Sequence, residues 1–295
     1  MPEFSAPSSH PPLGLIAGEG IFPKLVARGA KAAGRQVVCA AFSGSADPDL
    51  AAECDRFKWV GVVRLGQWIR FLKKSGCHEA IMVGRVAKRK LFSRWKYLQN
   101  VPDLRTLRLW LSELRRDRRD QAILFAVIRE LEREGITLID STRFCADQLC
   151  TEGVMTSRAP TPAQWEDVRF GWELCQNLSR LDIGQAIALK DKTVLAVEAL
   201  EGTNAMIQRA GEMCRGGNWT LIKVSNVRQD MRVDVPTVGV RTIEHLHAAG
   251  AGCLVLEAGK TILLEKEKVL EAAERLKIAI IGCVRPPDAH NSAAS

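Results

Sequence analysis

LGLIAGEG, residues 13–20, is the stretch that decides the fold class of this 295-residue chain. Residues 13–17 form an apolar run that predicts a buried strand, and Gly18-Glu19-Gly20 predicts a tight turn after it. A helix is predicted over 22–33, and a second strand over 36–42. A strand, a turn, a helix and another strand in this order indicate a βα unit of a parallel sheet.

The same alternation continues through the first half of the chain. Further strands are predicted over 57–60, 79–83 and 136–140, with helices over 65–74 and 120–133. We interpret this half as a Rossmann-like layer. It forms an N-terminal domain of residues 13–142, after a tail of residues 1–12.

The second half predicts a separate α/β domain over residues 163–283. Residues 143–162 include a stretch rich in Gly, Ser, Thr and Pro and are predicted to be a linker, and 284–295 a second tail. The predicted helices cover residues 163–178, 204–215, 242–249 and 268–276. The predicted strands cover 184–189, 193–199, 220–224, 253–256, 261–264 and 278–281. The expected fold class is α/β in two domains.

Composition narrows the classes of protein that remain. The chain is 46% hydrophobic and 26% charged, as globular proteins are. Its sequence has no apolar run long enough for a membrane span and its first twelve residues have no signal core, so we expect a cytoplasmic protein. The nine cysteines form no C-x-x-C pair, and Cys145 and Cys150, the only two close in sequence, lie away from the five histidines. We therefore expect reduced thiols and no thiolate zinc site.

Positive charge is concentrated in one segment, residues 85–120. This basic-aromatic segment has twelve Lys or Arg against four Asp or Glu, an excess equal to the net charge of +8 of the whole chain. Four aromatic residues are interleaved with the charges: Phe92, Trp95, Tyr97 and Trp110. The pattern is typical of a membrane interface or of a nucleic-acid surface, and it also suits a solvated helix face.

The turn at residues 18–20 allows two interpretations. Gly18 and Gly20 permit close backbone approach at the start of a helix, where free N–H groups attract phosphate. They could equally be required only by the turn. The third glycine of the dinucleotide fingerprint and the G-K-[ST] of a P-loop are both missing.

Two carboxylates follow a strand in the second half. Glu198 and Glu201 lie at its predicted carboxyl end, and Thr203 is positioned to cap the next helix. Carboxyl ends of strands in open α/β sheets face the crevice where ligands bind. Exposure on a solvated face is the alternative for either glutamate alone.

A second polar patch follows at residues 229–237. If this stretch is extended, Asp230, Arg232 and Asp234 share one face, because side chains alternate along a strand. Such a face can hold a divalent cation and a phosphate, or it can be an ion-paired edge strand. Three cations near the same elements could neutralise phosphate charge: Lys223, Arg209 and Arg228. The spacing of His245 and His247 does not suit joint metal binding.

Several of these stretches together resemble a known family. They are residues 13–20 with Pro23, residues 181–185, residues 198–209, and residues 229–239 with Thr242. In this order and spacing they are similar to the LpxI-type UDP-2,3-diacylglucosamine pyrophosphatases of lipid A synthesis in Gram-negative bacteria. The resemblance runs from about residue 13 to 283. It implies a two-domain enzyme that uses Mg²⁺ or Mn²⁺ to hydrolyse a lipid-linked UDP-sugar.

The residue patterns and the resemblance together give a set of candidate site residues. Those expected to act in catalysis are Asp234, Asp230 and Glu201. Those expected to bind metal are Asp230, Asp234, Glu198 and Glu201. Those expected to bind substrate are Gly18, Gly20, Thr203, Asn204, Arg209, Lys223, Arg232 and Thr237.

Asn204 departs from the resemblance, because the family typically carries Asp there. The lost charge would weaken metal binding, so a lipid-nucleotide-binding protein of low activity is the alternative to an enzyme. The expected partners are the lipid-linked UDP-sugar and the surface of the inner membrane, with the protein peripheral to it. We expect no nucleic-acid partner, although a nucleic-acid-binding module is a third alternative. The oligomeric state stays open between a monomer and a homodimer.

Overall fold

The computed structural model describes residues 10–86, 101–114, 120–226, 230–232 and 235–286. Contacts within it divide the chain into two compact units. Unit 1 is Met1–Cys145 with Met231–Asp234, and unit 2 is Ala146–Asp230 with Val235–Ser295. Each unit has its own sheet and its own core.

Unit 1 contains a parallel sheet of five strands in the order β3-β2-β1-β4-β5. Its strands are β1 (Leu13–Ala17), β2 (Val37–Phe42), β3 (Arg56–Val60), β4 (Glu79–Val83) and β5 (Thr137–Leu138). Its helices are α1 (Phe22–Ala32), α2 (Leu65–Lys74), α3 (Leu104–Leu109) and α4 (Asp120–Arg133). This confirms the predicted parallel α/β layer.

The core of unit 1 explains why the stretch at residues 13–17 is apolar throughout. All five residues of β1 are buried, because the strand lies in the middle of the sheet and helices cover the sheet faces. Ile16 and Val38 pack in one cluster with Leu72 of α2 and Leu131 of α4. The strand order reverses between β1 and β4, and ligands of open α/β sheets bind at such a point.

Unit 2 contains a mixed sheet of six strands in the order β6-β13-β11-β9-β7-β8. The strands are β6 (Gly153–Val154), β7 (Ala186–Lys190), β8 (Thr193–Val197), β9 (Trp219–Lys223), β11 (Ala251–Glu257) and β13 (Ala279–Cys283). A separate two-stranded sheet pairs β10 (Thr237–Val238) with β12 (Ile262–Leu263). The helices are α5 (Pro162–Arg180), α6 (Thr203–Met213), α7 (Val240–Ala248) and α8 (Lys266–Arg275).

The six-stranded sheet of unit 2 is covered on both faces. Trp172 of α5 packs with Ile187, Ile222 and Val255 in one cluster. A second cluster joins residues of α6, α7 and α8 to Leu221, Leu254 and Ile280 of the sheet. Alternate residues of β9 therefore belong to opposite cores, as the period of two in a strand requires.

Residues 143–162, which the sequence suggests are a linker, are built into unit 2 from Ala146 onward. Val154 of β6 pairs with Ile281, and the N–H of Met155 donates to the carbonyl oxygen of Ile280 at 2.9 Å. Two-residue strands such as β6 have no periodicity to detect. Among the described residues, no helix combines the length and the apolar character needed to cross a bilayer.

Candidate functional site

The carboxyl-end edge of the unit 2 sheet gathers the polar side chains. β8, β9 and β11 are parallel to one another, so their carboxyl ends lie at one edge, and β7 begins there because it runs antiparallel. Glu198 follows β8, Lys223 ends β9, and Glu257 ends β11. The sheet thus brings a lysine and two glutamates from distant parts of the sequence to the same edge.

Glu198, Thr203 and Lys223 form a hydrogen-bonded cluster, the buried triad. The Lys223 Nζ donates to the Thr203 Oγ1 at 2.8 Å, and the Thr203 hydroxyl donates to the Glu198 carboxylate. The Lys223 Nζ also lies 3.9 Å from the Glu198 Oε2. Glu198 is only 8% exposed, and its second oxygen accepts from the Gln185 backbone N–H at 3.3 Å. The hydroxyl and the ammonium are therefore held in fixed positions beside a largely buried carboxylate.

The N-terminus of α6 lies at this triad. Gly202 precedes the helix with a φ of +83°, a conformation that favours glycine, and no side chain caps the helix. Thr203 is the first helical residue, so its hydroxyl sits beside the first N–H groups of α6. A lysine, a hydroxyl and free N–H groups in one place suit a phosphate.

Glu201 and Arg209 form an ion pair on the exposed side of the same loop and helix. The Arg209 Nη2 lies 2.8 Å from the Glu201 Oε1 and donates to the Val197 carbonyl oxygen at 2.7 Å. Asn204, the second residue of α6, is exposed. The ends of β8 and β9, which flank β7, and the start of one helix thus bring together six of the predicted residues: Glu198, Glu201, Thr203, Asn204, Arg209 and Lys223.

A second polar cluster, which was not among the predicted site residues, lies at the end of β11. The Ser225 N–H and hydroxyl both donate to the Glu257 Oε2, and the Lys260 Nζ lies 2.7 Å from the Glu257 Oε1. Burial acts to raise the pKa of Glu257, but these three donors outweigh it and hold the pKa below its ordinary value. The sequence carries a signal for it, because Glu257, like Glu198, lies at the carboxyl end of an apolar run.

The shared face predicted for residues 230, 232 and 234 requires an extended chain, and the described part of this stretch departs from that conformation. Met231 and Arg232 lie in a turn, where the alternation of an extended strand does not apply. The Arg232 guanidinium forms an ion pair with Glu132 at 3.4 Å. Thr237 begins β10 and is exposed, and its contacts are to β12. Asp234 and Arg228 lie outside the described residues, as do Lys88, Arg89, Lys90, Phe92, Trp95 and Tyr97.

Within the described ranges, no group of three or more His, Cys, Asp or Glu side chains could hold a metal ion. The Glu198 carboxylate is bonded to Thr203 and the Glu201 carboxylate to Arg209. Both glutamates therefore have protein partners in this structure, and their metal-binding role stays a prediction. The expectation for Asp230 with Asp234 stays a prediction.

Gly18 has a packing reason in unit 1. Its N–H donates to the Val83 carbonyl oxygen at 2.8 Å, and a Cβ at this position would lie 2.7 Å from the backbone of Gly84. The turns after β1 and β4 therefore touch backbone to backbone, which only glycine permits. Gly20 is exposed with a φ of +111°. A ligand at either glycine stays a prediction.

Comparison with known proteins covers both units. A family model described as the LpxI N-terminal domain matches residues 12–148, and one described as the LpxI C-terminal domain matches residues 151–281. A curated relative from Caulobacter vibrioides, named UDP-2,3-diacylglucosamine pyrophosphatase LpxI, is 32% identical over 280 residues. That match covers 92% of this chain and 96% of the relative. The chain belongs to the LpxI family.

Proposed function

We propose that the protein hydrolyses the pyrophosphate bond of UDP-2,3-diacylglucosamine, giving UMP and 2,3-diacylglucosamine 1-phosphate in lipid A biosynthesis. One observation carries this proposal. The relative whose name states this activity is matched over almost its whole length, through both domains. The buried triad supports it, since it offers groups that bind phosphate at the edge of the sheet where ligands of α/β proteins bind.

In this proposal, Lys223 and Thr203 bind the phosphate oxygens that gain charge during hydrolysis. Water attacks phosphorus, and a fixed ammonium and hydroxyl stabilise the developing charge without having to reorganise. Glu198 positions both groups, because it accepts the Thr203 hydroxyl and faces the Lys223 ammonium. The exposed Arg209 can approach the nucleotide from the surface, where Glu201 holds its guanidinium.

The direct test is to incubate purified protein with UDP-2,3-diacylglucosamine and to measure UMP. The expected result is release of UMP in large molar excess over the protein. Binding of the lipid nucleotide without UMP release would instead show the alternative, a lipid-nucleotide-binding protein of low activity. UDP-N-acetylglucosamine, which lacks the two acyl chains, serves as the comparison substrate and is expected to be a poor one.

We also infer from the family resemblance that the activity depends on Mg²⁺ or Mn²⁺. Asp230 and Asp234 are the carboxylates proposed to bind the ion, as oxygen ligands suit such hard cations. The described residues do not supply a complete ligand group, so we assign the ion no step in the reaction. Removal of the ion with a chelator and its replacement by Mg²⁺ or Mn²⁺ test this dependence.

Asn204→Asp is expected to tighten the apparent affinity for Mg²⁺ about fivefold. One added unit charge near an exposed cation is worth about 1 kcal/mol, and Asn204 is exposed at the start of α6. The measurement is UMP release as a function of Mg²⁺ concentration. Asn204→Gln is the uncharged control. An unchanged affinity would place residue 204 outside the site, and a weaker one would mean that the site is adapted to asparagine.

We further propose that the protein works at the periphery of the inner membrane, through the basic-aromatic segment. Lys88, Arg89 and Lys90 replaced together by Glu should weaken sedimentation with phosphatidylglycerol vesicles more than tenfold. Each basic residue near an anionic bilayer contributes about 1 kcal/mol, and this contribution is screened by salt. Hydrolysis of substrate dispersed in detergent should change little.

The matched control for this charge reversal lies in unit 2. Lys268, Arg275 and Lys277 are exposed in and just after α8, and replacing them by Glu changes the net charge by the same amount. Equal losses in the two triple variants would make the effect one of net charge alone. Affinity for RNA is measured as well. If the Lys88, Arg89 and Lys90 triple variant binds vesicles as the parent protein does but loses affinity for RNA, the nucleic-acid alternative is favoured.

A further inference from the structure

Unit 1 exposes a stripe of apolar side chains on α3 and on the π-helical turn Trp110–Leu114 that follows it. Leu104 is 86% exposed, Leu107 45% and Leu111 60%. Their spacing of three and four residues places them on one side of the helix. Trp110 and Val101 are also exposed. Apolar residues at helical spacing normally face a core. We therefore expect a binding partner to cover this leucine stripe.

The opposite side of the same element is fixed to the rest of unit 1. Leu109 is buried in the core cluster, and the Thr106 Oγ1 accepts from the Leu65 N–H at 3.0 Å. Asp103 caps α3 by accepting from the Thr106 N–H, and Arg105 forms ion pairs with Glu130 and Glu134. These contacts set the rotation of α3. These contacts on the opposite side of α3 keep the three leucines on its solvent-exposed side.

Charge identifies the occupant of the leucine stripe. The stripe lies inside residues 85–120, the segment whose excess of positive charge equals that of the whole chain. Arg108 is exposed beside Leu104 and Leu111, and it has no acidic partner within the described ranges. A second copy of this chain would bring together two segments with the same excess of positive charge. An anionic lipid surface offers both an apolar interior, which leucines prefer, and negative charge, which attracts the cations of the same sequence segment.

We propose that Leu104, Leu107 and Leu111 insert into the surface of an anionic bilayer, with Trp110 at the level of the headgroups. This inference rests on the proposed function, because a substrate with two acyl chains resides in such a bilayer. It adds a non-electrostatic part to the binding. The basic residues attract the protein to the surface, and the leucines retain it there when salt screens the charges.

The test is the partition of the full chain onto vesicles of phosphatidylcholine and phosphatidylglycerol at low and at high salt. Leu104→Ser/Leu111→Ser should lower the partition coefficient about tenfold or more at high salt, since each leucine loses its transfer from water to lipid. Leu181→Ser is the control, because Leu181 is a leucine of similar exposure in unit 2. Brominated lipids should quench the fluorescence of the parent protein more than that of Trp110→Phe.

Two further measurements separate this inference from its alternatives. Folding is checked by thermal unfolding, and Leu107→Ser provides a milder variant if the double variant unfolds. Equal partition of the parent protein and the stripe variants at high salt would overturn the inference, even if UMP release shows that the proposed function holds. A change in sedimentation mass with unchanged partition would overturn it in favour of a second copy. If the stripe variants lose partition onto vesicles and the parent protein releases no UMP, the membrane inference is supported and the proposed hydrolysis is contradicted.

Discussion

Lys223→Met is expected to release UMP at least about a hundredfold more slowly than the parent protein. Removing one fixed donor to a charge that develops in the transition state typically costs about 10²–10³ in kcat. Lys223 is a fixed donor in the structure, since its ammonium lies against both the Thr203 hydroxyl and the Glu198 carboxylate. The measurement is kcat for UMP release at saturating substrate.

Lys223→Met also leaves the Glu198 carboxylate largely buried without its cation, at a cost of about 3 kcal/mol of folding stability. The double variant Glu198→Gln/Lys223→Met removes that unpaired charge, and Gln still accepts the Thr203 hydroxyl. We therefore expect the double variant to regain most of the stability in denaturant unfolding and to stay as slow as the single variant. If the double variant regains both the stability and the rate of UMP release, the triad has only a structural role.

Asp234→Ala is expected to lower turnover by orders of magnitude with little loss of stability, if Asp234 binds the proposed cation. Loss of a carboxylate ligand removes several kcal/mol of transition-state stabilisation in metal-dependent hydrolysis, on the order of 10² or more in rate. Asp147→Ala is the control, because Asp147 is an exposed aspartate in unit 2. Near-normal turnover of Asp234→Ala would remove this residue from the site.

The metal itself is tested with the parent protein. Treatment with a chelator should abolish UMP release, and added Mg²⁺ or Mn²⁺ should restore it. The Asp234→Ala protein should need more of either ion, or fail to respond. Full activity after chelation would refute the metal dependence while leaving the hydrolysis in place.

The sequence predicts the long elements of this fold well, for a physical reason. β1, β2 and α2 each carry enough apolar residues in a row or at helical spacing to reveal their period. β6 and β10 are two residues long and are defined by their partner strands, so local sequence could not reveal them. Residues 231–232 carry alternating polarity and yet form a turn, which shows that alternation alone does not establish an extended chain.

The candidate site was predicted in its parts, and the structure supplies the connections between them. Glu198 and Thr203 could be proposed from a strand end and a helix start, and Lys223 from its nearness to phosphate-binding elements. Their hydrogen bonds depend on the register of β8, β7 and β9, which no local pattern fixes. The ion pair of Glu201 with Arg209 likewise spans eight residues, so the sequence alone suggested a free carboxylate.

Unit 1 includes a short segment that is synthesised long after the rest of it. Met231 and Arg232 belong to this unit by their contacts, although more than eighty residues of unit 2 separate them from Cys145. The Met231 carbonyl oxygen accepts from both the N–H and the hydroxyl of the buried Ser141. A nascent chain emerges from the ribosome in sequence order, and domains tend to fold as they emerge. Unit 1 is synthesised first, but Ser141 can form its native hydrogen bonds only after Met231 has been synthesised, which follows most of unit 2.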